Sequence, residues 1–276
     1  MDNKRPENAP SRPGPVFLKP LALLGRRFLD IIDELGGVAI FFGKSFFYIF
    51  RRGQFGAIVQ QVYYIGAKSV NIVILVGLFV GMVIALQMYH VLVDYGSVGV
   101  LGSAVSLSLI REMGPVLTAI MITARAGSAM AAEIGIQRIS EQIDALDTMR
   151  IDPLMYLVSP RIAAAIISFP LLTTMFDLVG IIGGYFTGVV LMGINGGTYT
   201  NGVITSVKME DINGGLTKAV VFAVLVATIC CYQGYFTHTR TDGYGAKGVG
   251  LSTTSAVVAS CVLILVSDYV LSSFLL

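Results

Sequence analysis

Long apolar runs, each bounded by polar or charged residues, constrain this chain more than any other feature. An α-helix needs about 20 apolar residues to cross the hydrocarbon core of a bilayer, and a backbone in lipid must satisfy its own hydrogen bonds. Five runs are long enough, at about residues 66–92, 100–132, 161–192, 215–236 and 251–276. The sequence therefore predicts an all-α membrane protein with about five transmembrane helices.

The composition agrees with this fold class. Hydrophobic residues make up 55% of the chain and charged residues only 13%, and the mean hydropathy is +0.77. In a typical soluble domain about a quarter of the residues are charged. A net charge of +2 is too small to indicate a nucleic-acid partner. The three cysteines lie in apolar runs and form no CxxC pair, so neither a disulfide framework nor a metal site is predicted.

The N-terminal quarter of the chain has a different character. Residues 1–15 are rich in Pro and polar residues and lack the apolar core of a signal peptide, which predicts a disordered cytoplasmic tail. Residues 16–62 mix apolar and basic side chains, and their continuous apolar part, residues 38–43, is too short to span. We expect interfacial amphipathic helices there. Residues 63–276 form the predicted transmembrane domain.

The distribution of lysine and arginine predicts the orientation. Sixteen of the nineteen lie in or next to the segments on one side of the spans: ten in residues 1–68, four at Arg125, Arg138, Arg150 and Arg161, and two at Arg240 and Lys247. The positive-inside rule places these segments in the cytoplasm. We therefore expect a cytoplasmic N-terminus and an outer C-terminus.

The segment between spans two and three, residues 133–152, is charged and amphipathic. Its apolar side chains repeat at helical spacing, at Ile139, Ile143 and Leu146. Asp152 and Pro153 are typical of an N-cap followed by the first residue of the next helix. The pattern predicts a short cytoplasmic helix between two long ones.

Arg111 and Glu112 are charged residues inside an apolar run, where an uncompensated charge costs about 2.5–3.5 kcal/mol. Adjacent residues on a helix do not face each other, so we expect each to pair elsewhere. Two interpretations remain open: ion pairs that only hold the bundle together, or a polar rim on a lipid cavity. Asp177 and Asp268 are also embedded in apolar sequence, and either a proton relay or structural pairing would explain them.

Several motifs carry a resemblance to a known family. ARAGSAMAAEIG at residues 124–135, followed by EQIDAL at 141–146, resembles the signature of the MlaE (YrbE-type) permeases. These are the membrane subunits of lipid ABC transporters that work with MCE proteins. REMGPVLTA at 111–119 and GVGLSTTSAVVASCVLILVSDYVL at 248–271 are similar to the same family. The resemblance extends from about residue 63 to the C-terminus.

The resemblance implies a permease in a Gram-negative bacterial inner membrane that moves phospholipids between inner and outer membrane and so maintains outer-membrane lipid asymmetry. It implies a homodimer with a central lipid cavity, an ABC ATPase on the cytoplasmic side, a periplasmic ring of MCE-domain protein and, in some systems, a STAS-domain subunit. The chain itself would be no enzyme and bind no cofactor, since ATP and Mg would sit on the ATPase.

The resemblance also assigns residues to two sites. The expected lipid-binding residues are Arg111, Glu112, Met113, Ile84, Val91 and Tyr95. The expected ATPase-coupling residues are Glu133, Glu141, Gln142, Asp144 and Leu146. From the residues alone, the apolar wall positions could equally be ordinary packing. Two other function classes stay open: an ion-coupled secondary transporter of a hydrophobic substrate, and a membrane scaffold that transports nothing.

Overall fold

The computed structural model of this protein describes residues 36–49, 54–240 and 243–275. The chain divides into two compact units, Met1–Ile40 and Phe41–Leu276. Of the first, only residues 36–40 are described, as the start of a helix. The predicted tail, residues 1–15, lies outside the described residues.

The described residues form helices and contain no strand. In chain order the helices are α1 Gly36–Ile49, α2 Phe55–Asp94, α3 Val98–Ile139, α4 Gln142–Thr148, α5 Leu154–Leu191, α6 Gly196–Ser206, α7 Met209–Tyr235 and α8 Gly245–Leu275. Five of them, α2, α3, α5, α7 and α8, are long and apolar enough to cross a membrane. The prediction of an all-α protein with five spans is confirmed.

The first span begins earlier than the sequence predicts. Helix α2 includes Phe55–Ile65, which a single 3₁₀ turn at Ala67–Ser69 joins to the apolar segment Val70–Asp94. Residues 55–62 therefore belong to the helix that leads into the span. Helix α1 is too short to cross a bilayer. An interfacial position for residues 16–62 stays a prediction, and residues 16–35 and 50–53 lie outside the described residues.

The Asn, Gly and Thr content of residues 195–214 predicts an exposed polar loop, but the segment is mostly helical. Asn195 caps α6 by accepting hydrogen bonds from the backbone N–H groups of Gly197 (2.8 Å) and Thr198 (3.3 Å). Tyr199 in α6 is buried, and its hydroxyl donates to the Ile181 carbonyl oxygen at 3.2 Å. The loop prediction was wrong because burial of this ring outweighs the low helix propensity of the surrounding Gly, Asn and Thr residues.

The segment 133–152 contains the predicted short helix, but its bounds differ. Helix α3 continues to Ile139, and the chain turns at Glu141, whose φ of 59° is left-handed. Glu133 therefore lies in α3 and not in the short helix. The expected continuous stripe is also wrong, because the turn separates the exposed Ile139 from the buried Ile143. The predicted cap is confirmed, since Asp152 Oδ1 accepts the Leu154 N–H at 2.9 Å.

Glycines allow α2 and α5 to pack with their backbones close together. A Cβ on Gly81 would overlap the backbone of Gly180, and one on Gly77 would lie 3.0 Å from the Phe176 carbonyl oxygen. Gly183 similarly abuts the backbone of Leu78. The four-residue spacing of Gly77 and Gly81, and of Gly180 and Gly184, predicts close helix packing from sequence, and at Gly77, Gly81 and Gly180 the structure confirms it.

The connectivity of the five long helices defines two ends of the bundle. The α4 end carries α4 and the junction between α7 and α8, and Arg138 Nε donates there to His238 Nδ1 at 3.0 Å. The α6 end carries α6, the start of α7 and the end of α8, and the Ser103 hydroxyl donates there to the Gly202 carbonyl oxygen at 3.0 Å.

Candidate functional site

A cluster of ionic side chains lies inside the bundle, toward the α6 end. Three helices supply its members: Arg111 and Glu112 from α3, Asp211 and Lys218 from α7, and Asp268 and Ser272 from α8. Arg111 and Glu112 stand in a π-helical stretch, Leu109–Met113. Such stretches within α-helices are frequent at functional sites, because the extra residue per turn redirects the side chains.

Arg111 pairs with the start of α7. Its Nε and Nη2 atoms lie 2.8 and 2.7 Å from Asp211 Oδ1. The arginine side chain is nevertheless 40% exposed, whereas that of Asp211 is 9% exposed. The contact occupies one edge of the guanidinium and leaves other donors accessible.

Lys218 is the centre of the cluster and is only 3% exposed. Its Nζ lies 2.7 Å from Glu112 Oε2 and 3.1 Å from Asp268 Oδ1, and it donates to the Arg111 carbonyl oxygen at 2.9 Å and to Ser272 Oγ at 2.7 Å. A buried charge is tolerated when opposite charges and hydrogen bonds surround it in this way.

The structure confirms that Arg111 and Glu112 pair elsewhere and not with each other. Sequence reasoning missed Lys218 and Asp211 as members of the cluster. The sequence did contain a signal for both residues, because a charged residue within or beside an apolar span needs a partner there. Asp268 pairs with Lys218, which favours the structural explanation over a proton relay.

A cavity of about 280 Å³ opens beside the cluster. Its lining consists of Arg111, Glu112, Glu210, Asp211, Gly214, Gly215, Lys218 and Ser272. Glu112 is 35% exposed, so both members of the Arg-Glu pair are accessible to a ligand. Of the two glycines in the wall, Gly214 has open space at its Cβ position, whereas Gly215 packs against the backbone of Ile110.

The other expected lipid-binding residues do not line this cavity. Met113 is exposed on α3 directly after the pair, Val91 is exposed on α2 and Tyr95 directly after its end, and Ile84 is half-buried against the core. Within a single chain the structure thus brings together only Arg111 and Glu112 of the six.

The expected ATPase-coupling residues lie in four different environments. Glu141 and Gln142 are exposed at the start of α4, whereas Leu146 is half-buried. Asp144 is exposed but accepts a hydrogen bond from Arg138 at 2.7 Å. Glu133 pairs at 3.1 Å with the nearly buried Arg161 of α5, so it joins two long helices.

Arg138 fixes α4 to the rest of the α4 end. Besides bonding Asp144 and His238, its guanidinium lies 5.3 Å from the centre of the Tyr235 ring. Next to Asp144 on α4, Ile143 is fully buried. The short helix is therefore anchored by an apolar contact and a charged one, and its acidic start stays accessible.

Five apolar spans, an ionic cavity near one end and an anchored charged helix at the other define a multi-pass membrane protein of the permease class. The family model of the MlaE permease matches residues 58–274. The chain belongs to the MlaE permease family, whose members are membrane subunits of ABC transporters, and it is a multi-pass inner-membrane protein.

Relatives from distant organisms resemble nearly the whole chain. A probable ABC transporter permease protein of Rickettsia bellii is 39% identical over 90% of this chain and 95% of its own length. The intermembrane phospholipid transport system permease protein MlaE of Haemophilus influenzae is 37% identical over 92% of this chain and 97% of its own. TRIGALACTOSYLDIACYLGLYCEROL 1, a chloroplastic protein of Arabidopsis thaliana, is 37% identical over 78% of this chain and 60% of its own.

Proposed function

We propose that this chain is the permease subunit of an ABC transporter that moves phospholipids between the inner and outer membranes of a Gram-negative bacterium. The observation that carries the proposal is the ionic cavity, in which Arg111 is paired and yet 40% exposed within a span. Maintaining so many charges inside lipid is costly, which favours a functional role for them. The similarity to the Haemophilus influenzae phospholipid permease supports the choice of substrate.

The lipid phosphate binds at Arg111. Asp211 holds one edge of the guanidinium, and the remaining N–H groups are available for a charge-assisted contact with phosphate oxygens. Lys218 and Ser272 hold the Glu112 carboxylate beside it. The fixed positions of these groups reduce the ordering cost of binding.

The balance of charge in the cavity favours a zwitterionic headgroup. Two cations, Arg111 and Lys218, face four carboxylates, Glu112, Glu210, Asp211 and Asp268, and Lys208 adds one cation beside Asp211. A purely anionic headgroup would meet this excess of negative charge. A headgroup with an amine satisfies both signs, with its phosphate at Arg111 and its ammonium near the accessible carboxylates.

Two copies of the chain complete the lipid site. The exposed apolar residues Met113, Val91 and Tyr95, with the half-buried Ile84, contact the acyl chains once a homodimer encloses them. In a single chain these residues face outward and leave the cavity without apolar walls.

The α4 end faces the cytoplasm and receives the ATPase. Glu141 and Gln142 contact a groove of that subunit, and Arg138 transmits the movement of α4 to α3 and α7. ATP and Mg bind to the ATPase, and this chain carries out no covalent step. An MCE-domain ring, with or without a STAS-domain subunit, completes the transporter.

A decisive experiment purifies the tagged full-length chain from a native membrane and extracts it with organic solvent. We expect an ABC ATPase subunit and phospholipid to co-purify, and ATP to drive labelled phospholipid between the membrane and an acceptor MCE protein. An ion-coupled transporter would bring no ATPase, and a scaffold would retain no phospholipid.

A further inference from the structure

Asp177 is a half-buried carboxyl with one fully buried oxygen, and the ionic cluster does not use it. It lies in α5 and lines a separate cavity of about 110 Å³ with Thr173, Ile110 and Gly215. Gly215 also lines the ionic cavity, so the two cavities share a wall. Asp177 is thus close to the elements that carry the candidate lipid site.

One oxygen of this carboxyl is pressed against α3. A Cβ on Gly114 would overlap Asp177 Oδ1, so a larger residue there would require the carboxyl to move. Among the described residues, Oδ1 is buried without a hydrogen-bond partner. The hydroxyl of Thr173, one turn away on the same helix, also has no partner among those residues.

A second acceptor lies near the same Cβ position as Oδ1. The Leu109 carbonyl oxygen lies 3.0 Å from the same Cβ position on Gly114. This carbonyl accepts the N–H of Gly114, as the π-helical stretch requires, and it keeps a second lone pair. Two oxygens that only accept cannot bond to each other, and an ionised carboxylate in this place would be unpaired inside the span.

Among the residues that the structure describes, no cation faces Asp177 from the helices packed around it. The charged residues of α3 and α7 in this region, Arg111, Glu112, Asp211 and Lys218, bond to one another in the ionic cavity. Farther along α3, Arg125 donates to the Tyr64 carbonyl oxygen and to Ser69 Oγ. On α2, the titratable side chains Lys68, His90 and Asp94 lie toward the two ends of its apolar segment Val70–Asp94.

We propose that Asp177 is a proton-binding site: it is held as a neutral carboxylic acid whose O–H donates to the Leu109 carbonyl oxygen. A carboxylic acid supplies the one donor that two facing acceptors need. The bond holds α5 against the π-helical stretch that carries Arg111 and Glu112. Asp177 is therefore a positioning residue for that pair, and it contacts no lipid.

Infrared spectroscopy of the full-length protein at neutral pH tests the protonation directly and does not depend on lipid transport. The wild-type spectrum minus that of Asp177→Asn should contain the carbonyl-stretch band of a protonated carboxylic acid. As a matched control, Asp147→Asn on the exposed face of α4 should remove a carboxylate band instead. Loss of a carboxylate band in Asp177→Asn, or loss of the acid band on adding sodium chloride, would overturn the proposal.

A pair of variants tests the donor role. Asp177→Asn keeps an N–H donor of the same size and should retain wild-type thermal stability and phospholipid occupancy. Asp177→Ala removes the donor and should lower the melting temperature by several degrees and reduce the phospholipid retained. If Asn is as damaging as Ala, the working form is the carboxylate and the proposal is wrong. Stable variants that lose no phospholipid would contradict only the positioning role, because the infrared result stands separately.

Discussion

At the scale of single residues, the ionic cavity depends on one buried lysine and one accessible arginine. Lys218 is enclosed by Glu112, Asp268 and Ser272, so its charge stabilises two carboxylates inside a span. Arg111 makes one ion pair and keeps donors free. Their different exposure predicts different effects of substitution, on stability for the lysine and on binding for the arginine.

Lys218→Met should destabilise the protein. Glu112 and Asp268 would then face each other without a cation, and breaking a buried pair costs about 3–5 kcal/mol. Thermal unfolding of the purified protein in detergent measures the loss. Adding Asp268→Asn should restore part of it, and Lys247→Met, at an exposed site, should change little. Unchanged stability in Lys218→Met would show that the cluster contributes nothing to folding.

Arg111→Ala should leave the protein folded and reduce phospholipid binding. Loss of a charge-assisted contact costs about 1.5–3 kcal/mol, roughly a tenfold or larger drop in occupancy. The measurement is phospholipid retained per chain after purification, together with phospholipid moved per ATP. Arg111→Lys keeps the charge but loses the planar arrangement of N–H donors. It should therefore recover only part of the phospholipid binding. If Arg111→Ala retains the wild-type amount of phospholipid, the ion pairs have only a structural role.

At the scale of elements, two features determine how the helices work together. Glycines bring α2 and α5 into backbone contact, and a left-handed residue at Glu141 separates α3 from α4. The glycine contacts fix how α2 packs against α5. The second allows a short helix to project its acidic start while Ile143 stays buried.

Gly81→Ala should disrupt the contact between α2 and α5, because the new Cβ would overlap the Gly180 backbone. Overpacking of this kind costs about 1–3 kcal/mol or more. Gly56→Ala is a matched control on the same helix, since its Cβ would meet nothing within 4 Å, and it should be neutral or slightly stabilising. Melting temperatures of the two variants provide the comparison, and equal values would argue against close backbone packing.

Glu141→Arg should weaken co-purification of the ATPase or uncouple ATP hydrolysis from phospholipid movement. Reversing a charge in a docked face costs more than the about 0.5 kcal/mol of an ordinary surface change. Glu141→Asn separates charge from geometry, because Asn tolerates left-handed φ and should preserve the turn. Asp94→Arg, exposed at the opposite end of the bundle, should have no effect on ATPase binding. If Glu141→Arg binds and couples normally, α4 does not dock through this residue.

At the scale of the whole molecule, the two ends of the bundle must lie on opposite sides of the membrane. The ionic cavity lies toward the α6 end, and the proposed ATPase contact lies at the α4 end. A transporter driven from the cytoplasm therefore requires α4 inside and α6 outside, which agrees with the predicted cytoplasmic N-terminus.

Cysteine labelling tests this orientation. A cysteine replacing Thr200 in α6 should react with a membrane-impermeant thiol reagent in intact spheroplasts, whereas one replacing Thr148 in α4 should react only after lysis. Both positions are exposed, and the native cysteines provide the background, since Cys230 and Cys231 are buried and Cys261 is half-buried. Labelling of position 148 alone in intact spheroplasts would invert the orientation.

Much of this protein follows from sequence because lipid imposes a strong local constraint. A run of about 20 apolar residues must become a helix in a bilayer, so the number of spans was predicted correctly and their bounds approximately. Charges within spans need partners, which singled out Arg111, Glu112, Asp177 and Asp268. The family motifs could also be recognised from the sequence, because each is a contiguous stretch of residues.

The tertiary structure decided which residues meet. Glu112 pairs with a lysine 106 positions away, and Arg111 with an aspartate 100 positions away, so no local pattern could indicate either partner. Helix α6 forms because Tyr199 is buried against distant residues, despite a composition typical of loops. The turn at Glu141 likewise interrupts an apolar repeat that looked continuous. The sequence determined what each segment must be in lipid, whereas packing between segments determined the site, because contact energies join residues that the chain keeps far apart.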